Sequence, residues 1–364
     1  MSTKNISSAI PAAASAPEFV QDLVRRAESA GASDIHLHRV GNEARISFRL
    51  DGVMTAAQTI PLDLAERVFG RIKFLARLKT YVESMPQDGR INRGDAGSAS
   101  DLRVSTYPTV TGEKIVLRLF RDARIAALSE LGFPPDGVEA LRQFLRQGSG
   151  LLLLTGPAGS GKTTTIHSCL SHLAAEGGRH IITVEDPVEQ IIPNVMQTEV
   201  NEARGLTFAV AARHLLRQDP QVLVLGEIRD EETASVAVRA AVTGHLMIST
   251  LHAGSCQGIW ERLTTLCPDS ASAATALDLL WNQRLVRRTC SSCQGNGCEQ
   301  CLQTGYKGRV PVAEWFRLDA TARADLRHRG AGVIQPAVSL ETAAEALLAQ
   351  GITTPTELER ILQR

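Results

Sequence analysis

The chain has 364 residues, and its 39 basic and 39 acidic side chains cancel to a formal net charge of zero. It therefore lacks the basic excess that follows a phosphate backbone over many contacts, which speaks against direct nucleic-acid binding. No apolar run approaches the roughly 20 residues of a membrane-spanning helix, and the Ser/Ala-rich opening has neither the basic start nor the sustained apolar segment of a leader, so the chain reads as cytoplasmic.

Residues 1–14 are small and polar without periodicity and read as a flexible tail. Structure is expected to begin at Ser15. Ser15 and Glu18 have capping-box spacing, Phe19, Val20, Leu23, Val24 and Ala27 form a helical stripe, and Gly31 supplies the stop. Ile46, Phe48 and Leu50 then alternate with polar residues before Asp51-Gly52, the signature of a strand entering a hairpin turn. Strand character continues from Gln87 to Phe120, so residues 15–121 read as a mixed α/β amino-terminal domain, followed by a polar linker at 122–135.

Beyond it, apolar runs recur at Leu151 to Leu154, Ile181 to Val184, Val222 to Leu225 and Leu246 to Ser249. Such runs, with helical stretches between, predict strands buried on both faces of a parallel sheet, with ligands beyond their carboxyl ends. This core spans 136–288. After it come a cysteine-rich stretch at 289–310 and a helical region at 311–364, with helices expected from Ser339 to Gly351 and from Thr354 onward.

Gly156-Pro157-Ala158-Gly159-Ser160-Gly161-Lys162-Thr163 matches G-x-x-x-x-G-K-[ST] in full, directly after a predicted strand and before a predicted helix that continues through Thr164. Glycines at this spacing let backbone N–H groups converge on phosphate oxygens, Lys162 reaches the β and γ phosphates, and Thr163 ligates Mg²⁺. An ordinary Gly-rich turn has no reason to add the lysine and threonine, so ATP binding is the expectation. Glu227 ends the Val222 to Leu225 run, where it would polarise an attacking water or, alternatively, pair with Arg229 at the surface. Glu185 and Asp186 end another run and add acidic groups for metal or water. Of His245 and His252, which flank a fourth run, His252 follows the strand and is the candidate sensor of the γ phosphate.

Cys290-x-x-Cys293 and Cys298-x-x-Cys301 form paired knuckles with the spacing of a four-thiolate zinc site. An iron–sulfur cluster uses four cysteines too, but nothing else in the chain suggests electron transfer. Cys169, Cys256 and Cys267 are scattered and read as ordinary thiols in a reducing compartment.

Together these blocks resemble the secretion ATPases of type II secretion, type IV pilus assembly and competence systems. The resemblance covers about residues 17–316. It includes the phosphate loop; Ile182-Thr-Val-Glu185-Asp186-Pro-Val-Glu189, similar to the family's Asp box; Gly226-Glu227-Ile-Arg229-Asp230, similar to its Walker B region; and Thr243-Gly-His245 through Leu251-His252, similar to its His box. Ala32-Ser-Asp-Ile-His-Leu37 and Gln87-Asp-Gly-Arg-Ile91 resemble the family's PAS-like domain, and Gly305-Tyr-Lys-Gly-Arg309 resembles the end of its metal module. The resemblance implies a PAS-like α+β domain followed by a RecA-like P-loop ATPase domain with a tetracysteine zinc module and carboxyl-terminal helices. It implies that Arg90 and Arg103 close over the nucleotide, with Arg213 and Arg217 as the core domain's pair. It also implies a homohexameric motor at the inner face of the inner membrane, acting on a platform protein so that pilins or pseudopilins enter a fibre. Retraction motors of the family generally lack the cysteines, which favours assembly; a retraction motor and a RecA-like nucleic-acid translocase are the alternatives. The start of the chain implies a short form without the extra amino-terminal docking domain, and the four residues between the knuckles a compact metal module.

Overall fold

The computed structural model describes residues 15–119 and 124–362 and divides them into two units. The expected tail at 1–14, Phe120 and the first residues of the expected linker lie outside the described residues. No described helix is long and apolar enough to cross a membrane.

The first unit holds residues 15–119 together with 287–309. Helix α1 (Ala16–Ala30) begins at a complete capping box, in which the Glu18 amide donates to Ser15 Oγ and the Ser15 amide to the Glu18 carboxylate. It ends on Gly31 at φ 75°, a left-handed cap that glycine adopts without a Cβ penalty. Six strands follow: β1 (Asp34–Val40), β2 (Glu43–Leu50), β3 (Val53–Pro61), β4 (Gln87–Ile91), β5 (Leu102–Thr109) and β6 (Gly112–Leu119). They pair in the order β3-β2-β1-β6-β5-β4. The β2–β3 turn is the expected Asp51-Gly52 pair, both at positive φ.

Alternation splits this sheet into two faces. Ile35, Leu37, Ile46, Phe48, Ile115 and Leu117 join the buried cluster formed with α1 and with α2 (Leu62–Leu75). The opposite face carries a cross-strand row in which Arg90, Arg103, Arg118, Asp34 and Arg49 are successive partners. Buried Asp34 answers two of these charges, at 3.0 Å from Arg118 and 3.3 Å from Arg49.

The second unit holds residues 124–286 and 310–362. Its strands are β7 (Gly150–Thr155), β8 (Ile181–Glu185), β9 (Met196–Glu199), β10 (Val222–Leu225), β11 (Leu246–Leu251) and, up to 286 and from 310 respectively, β12 (Leu277–Thr289) and β13 (Tyr306–Arg317), in the order β13-β12-β7-β11-β10-β8-β9. The pairings from β12 through β9 are parallel. The Leu-rich runs are buried on both sides: Leu151 and Leu153 point into one core, Leu152 and Leu154 into the other. The first core is closed by α5 (Phe208–Leu215), α6 (Glu231–Val242), α7 (Cys256–Leu266) and α8 (Ser270–Ala276), the second by α3 (Pro135–Leu145) and α4 (Lys162–Glu176).

Two expectations change. The region 311–364 is not helical throughout, because 306–317 is strand β13 and the helices α9 (Ala320–Arg329), α10 (Leu340–Ala349) and α11 (Pro355–Leu362) come after it. The cysteine stretch groups with the first unit. Within that unit Leu302 packs against the apolar core, the Gly308 amide donates to Asp51 at 2.9 Å, and Arg287 lies over the Tyr306 ring at 4.0 Å. The knuckles are therefore seated beside the β2–β3 turn.

Candidate functional site: a phosphate loop facing two acidic strand ends

The loop Gly156–Gly161 leaves the carboxyl end of β7 and feeds α4 at Lys162. Gly156, Gly159 and Gly161 all have φ in the left-handed range. Gly156 is required twice over, since a Cβ there would lie 2.4 Å from the Gln283 carbonyl oxygen and 2.6 Å from Ser160 Oγ. Thr155 anchors the strand end, its Oγ1 lying 2.9 Å from the Leu251 oxygen and 2.7 Å from the Ala253 oxygen while accepting from the Ala253 amide.

Lys162 folds back over the loop, its Nζ donating to the Gly156 oxygen at 2.7 Å and the Pro157 oxygen at 3.1 Å. Burial lowers its pKa, Arg284 adds to the effect, and Glu227 opposes it. A polyanion at the loop would reverse the balance, so the residues fit a nucleotide's phosphates.

A cavity of about 290 Å³ opens beside the loop, lined by Lys162, Thr163, Glu185, Asp186, Glu227 and His252 among others. The acidic residues reach it because parallel neighbours end together. Leu225 pairs with Val184 on one side and Ser249 on the other, so Glu185, Glu227 and His252 emerge at one edge.

Glu227 is held by Arg229 and His252. Arg229 donates to Oε1, and His252 Nε2 lies 3.4 Å from Oε2. Burial works against the carboxylate's charge, yet Arg229 and His252 outweigh it and hold the pKa below the ordinary value. The expected alternative of a Glu227–Arg229 pair is thus present, and the carboxylate still lines the cavity.

Glu185 is more enclosed. Thr183 Oγ1 donates to Oε1 at 2.6 Å, Gln197 Nε2 donates to it at 2.9 Å, and His167 Nε2 lies 3.6 Å from Oε2. Burial opposes its charge as well, but these partners win and its pKa is lowered. His167, Gln197 and Thr183 were not among the expected site residues. Only His167 carried a signal, lying five residues after Lys162 on the loop's own helix.

The remaining expected residues fall in different places. Thr163 lines the cavity, whereas Thr164 is exposed on α4. His245 sits at the opposite end of β11, with its ring against the Ala240 carbonyl at 3.1 Å. Arg213 pairs with Glu232, Arg217 is exposed, and the cavity lining includes neither. Arg90 and Arg103 belong to the first unit's charged row, where Arg90 pairs with Asp101.

The four cysteines form the expected cluster, with every Sγ within 4.8 Å of the others and three pairs at 3.7 to 3.9 Å. A tetrahedral ion with Zn–S bonds near 2.3 Å needs S···S edges of about 3.8 Å, so the set fits zinc. Amides of Cys298 and Gly305 donate to Cys301 Sγ. Against burial, these and the neighbouring thiols draw the Cys301 pKa down to about 7, toward the thiolate a metal requires.

A sequence model of the family described as "Type II/IV secretion system protein" matches residues 12–360. The type IV pilus assembly ATPase PilB of Thermus thermophilus is 36% identical over 96% of this chain and 43% of its own length. The type II secretion system protein HxcR of Pseudomonas aeruginosa is 38% identical over 94% of this chain and 76% of its own. This chain thus spans less than half of the first relative and about three quarters of the second. Among solved structures, the ATPase DotB of Legionella pneumophila superposes with a TM-score of 0.75 at 21% identity, covering 99% of this chain and 98% of that one. The pilus retraction motor PilT with bound ADP gives 0.67 at 25% identity, covering 94% and 97%.

Proposed function

The chain belongs to the type II/IV secretion system protein family, and from that premise we propose that it is an ATP-hydrolysing motor for the assembly of a pilus or pseudopilus fibre. The observation that carries the reading is the single cavity into which Lys162, Thr163, Glu185 and Glu227 converge.

In this reading the loop amides and Lys162 would hold the phosphates, and Thr163 with the acidic strand ends would hold Mg²⁺, which would neutralise phosphate charge. Glu227, ionised and fixed by Arg229 and His252, orients the attacking water and takes its proton. Glu185 shapes the second acidic wall. Arg90, Arg103, Arg213 and Arg217 are assigned by resemblance to closure over the nucleotide in a ring of six copies. The tetracysteine set holds one zinc ion that stiffens the β2–β3 end of the first unit. The motor works on the inner face of the inner membrane against a platform protein.

Assembly is preferred to retraction because relatives named for pilus assembly and type II secretion match at 36% and 38% identity, above the 25% of the retraction motor. The test is deletion of the gene in its host and complementation with wild type or Lys162→Ala, scored by surface fibres and exported protein, alongside Mg²⁺-dependent ATP hydrolysis by the purified proteins. Wild type restores fibres or export and hydrolyses ATP; Lys162→Ala does neither. Hydrolysis that depends on added DNA, with fibres and export intact in the deletion strain, would replace this reading with a nucleic-acid translocase.

A further inference from the structure

We propose that Gln283 is the positioning residue of the phosphate loop, its buried amide fixing the direction in which the loop presents its N–H groups to an anion. The inference rests on the nucleotide-binding reading of that loop and assigns a part in it to a residue outside the phosphate-binding motif.

Gln283 stands on β12 beside β7, is 1% exposed, and its side chain makes three hydrogen bonds. Nε2 donates to the Ser160 carbonyl at 2.8 Å, while Oε1 accepts from Thr165 Oγ1 at 3.0 Å and from the Trp281 indole N–H at 2.9 Å. The orientation of the amide follows from its partners. An indole nitrogen only donates and a carbonyl only accepts, so the oxygen must face Trp281 and the nitrogen must face Ser160. The anchor is rigid, because Trp281 is fully buried, stacks on Trp315 with centroids 5.3 Å apart, and meets the edge of Phe133 at 4.9 Å.

The effect on the loop comes through peptide geometry. In a planar trans peptide the C=O and the following N–H point in opposite directions. Holding the Ser160 oxygen against β12 therefore turns the Gly161 N–H away from β12, at the step where the helix and its unpaired amides begin. Thr165, on the first turn of that helix, is clasped by the same side chain, and its Oγ1 lies 3.2 Å from the Gly161 oxygen. The backbone of residue 283 takes part as well, since its carbonyl occupies the space a Cβ on Gly156 would need, and a Cβ on Gly161 would meet Nε2 at 3.3 Å. One residue thus braces both ends of the loop.

The flanking side chains hold the neighbouring loop. Asn282 Nδ2 and an Arg284 guanidinium nitrogen donate to the Gly254 carbonyl at 3.1 and 3.2 Å, two residues after His252. The tripeptide on β12 thereby fixes the loops after β7 and β11 against one strand.

The test uses the full-length protein and two substitutions. Gln283→Met keeps the volume and removes all three bonds. Gln283→Glu keeps the shape, but its carboxylate has no donor for Ser160 until it is protonated. The probe is ADP with Mg²⁺, titrated by calorimetry, together with KM and kcat for ATP hydrolysis. Wild type binds ADP, which upholds the underlying reading; no binding by wild type would remove that reading, whatever Gln283 does. With wild-type binding in hand, Gln283→Met is expected to weaken ADP about tenfold and to raise KM by a similar factor. The kcat change should be smaller. The affinity of Gln283→Glu should recover as pH falls, a recovery absent in Gln283→Met. A Gln283→Met protein with a lowered melting temperature but wild-type ADP affinity and KM would reduce Gln283 to a packing role and overturn the proposal. If Gln283→Met does not fold, an affinity of Gln283→Glu that is independent of pH overturns it equally.

Discussion

Replacing Glu227 with glutamine separates binding from hydrolysis. The change is isosteric: the amide oxygen faces Arg229 and accepts from it as the carboxylate did, the NH₂ takes the position beside His252, and the cavity keeps its lining. Lys162 and Thr163 are untouched, so the dissociation constant for ADP is expected to stay within about threefold of wild type. Glutamine has no basic oxygen to take a proton from water. Loss of a positioned general base costs about 10²- to 10⁴-fold in rate, or about 3 to 5 kcal/mol of transition-state stabilisation.

The pH dependence follows from the lowered pKa of Glu227. A base must be deprotonated, so the carboxylate stays competent as pH falls to below the ordinary glutamate value of about 4.3. Its contribution to stability has the same sense: present above the unfolded-state value, and lost as pH falls through the depressed folded one. An acid limb near neutrality therefore belongs to another group. Removing Arg229, whose hydrogen bond and charge do most to lower that pKa, moves the limb due to Glu227 upward. Single-turnover hydrolysis with preloaded ATP, measured across pH, reads both effects. Hydrolysis by Glu227→Gln within about threefold of wild type would refute the assignment.

Two further predictions concern the first unit. Lys73 and Glu113 form an ion pair at 2.6 Å with both residues buried; Lys73→Met strands the carboxylate at a cost of about 3 to 5 kcal/mol, read by urea unfolding. Burial already raises the Glu113 pKa against the pull of Lys73, and without Lys73 it rises further. A raised carboxylate pKa means that the folded state holds the proton more tightly. The variant's stability therefore falls as pH rises from about 4.3 through the raised value, and a pH-independent loss below about 1 kcal/mol would contradict this. For the cysteines, elemental analysis of protein purified without chelator should find about one zinc per chain. Cys293→Ser or chelation should speed amide exchange in the β2–β3 turn, where Asp51 receives the Gly308 amide; unchanged exchange on zinc loss would detach the metal from that turn.

How much of this was legible follows from where the polar groups sit. The amino-terminal helix was readable from end to end, because Ser15, Glu18 and Gly31 act locally and the stripe between them has one period. The strands that end at Glu185 and Glu227 were readable because an apolar run stops abruptly at a carboxylate, which is how a parallel sheet delivers chemistry to its edge. The Arg229 partner of Glu227 was readable too, but the groups that hold Glu185 were not. His167 comes from a helix and Gln197 from β9, a short strand with intermediate or exposed side chains and no apolar run. Nothing local distinguishes Gln197 from a solvated face.

Strand β12 was missed for a more instructive reason. Its first half, Leu277 to Trp281, is buried and would have passed as a run, but Asp278 interrupts it and Asn282, Gln283 and Arg284 terminate it. Each interruption has a partner that only the fold supplies. Asp278 pairs with Arg323 of α9, Gln283 with the phosphate loop, and Asn282 and Arg284 with the loop after His252. A rule that recognises strands by their apolar character therefore fails at the strand whose polar residues fix the site. The same three residues, read as buried amides and a guanidinium that need partners, would have pointed to the loops they hold.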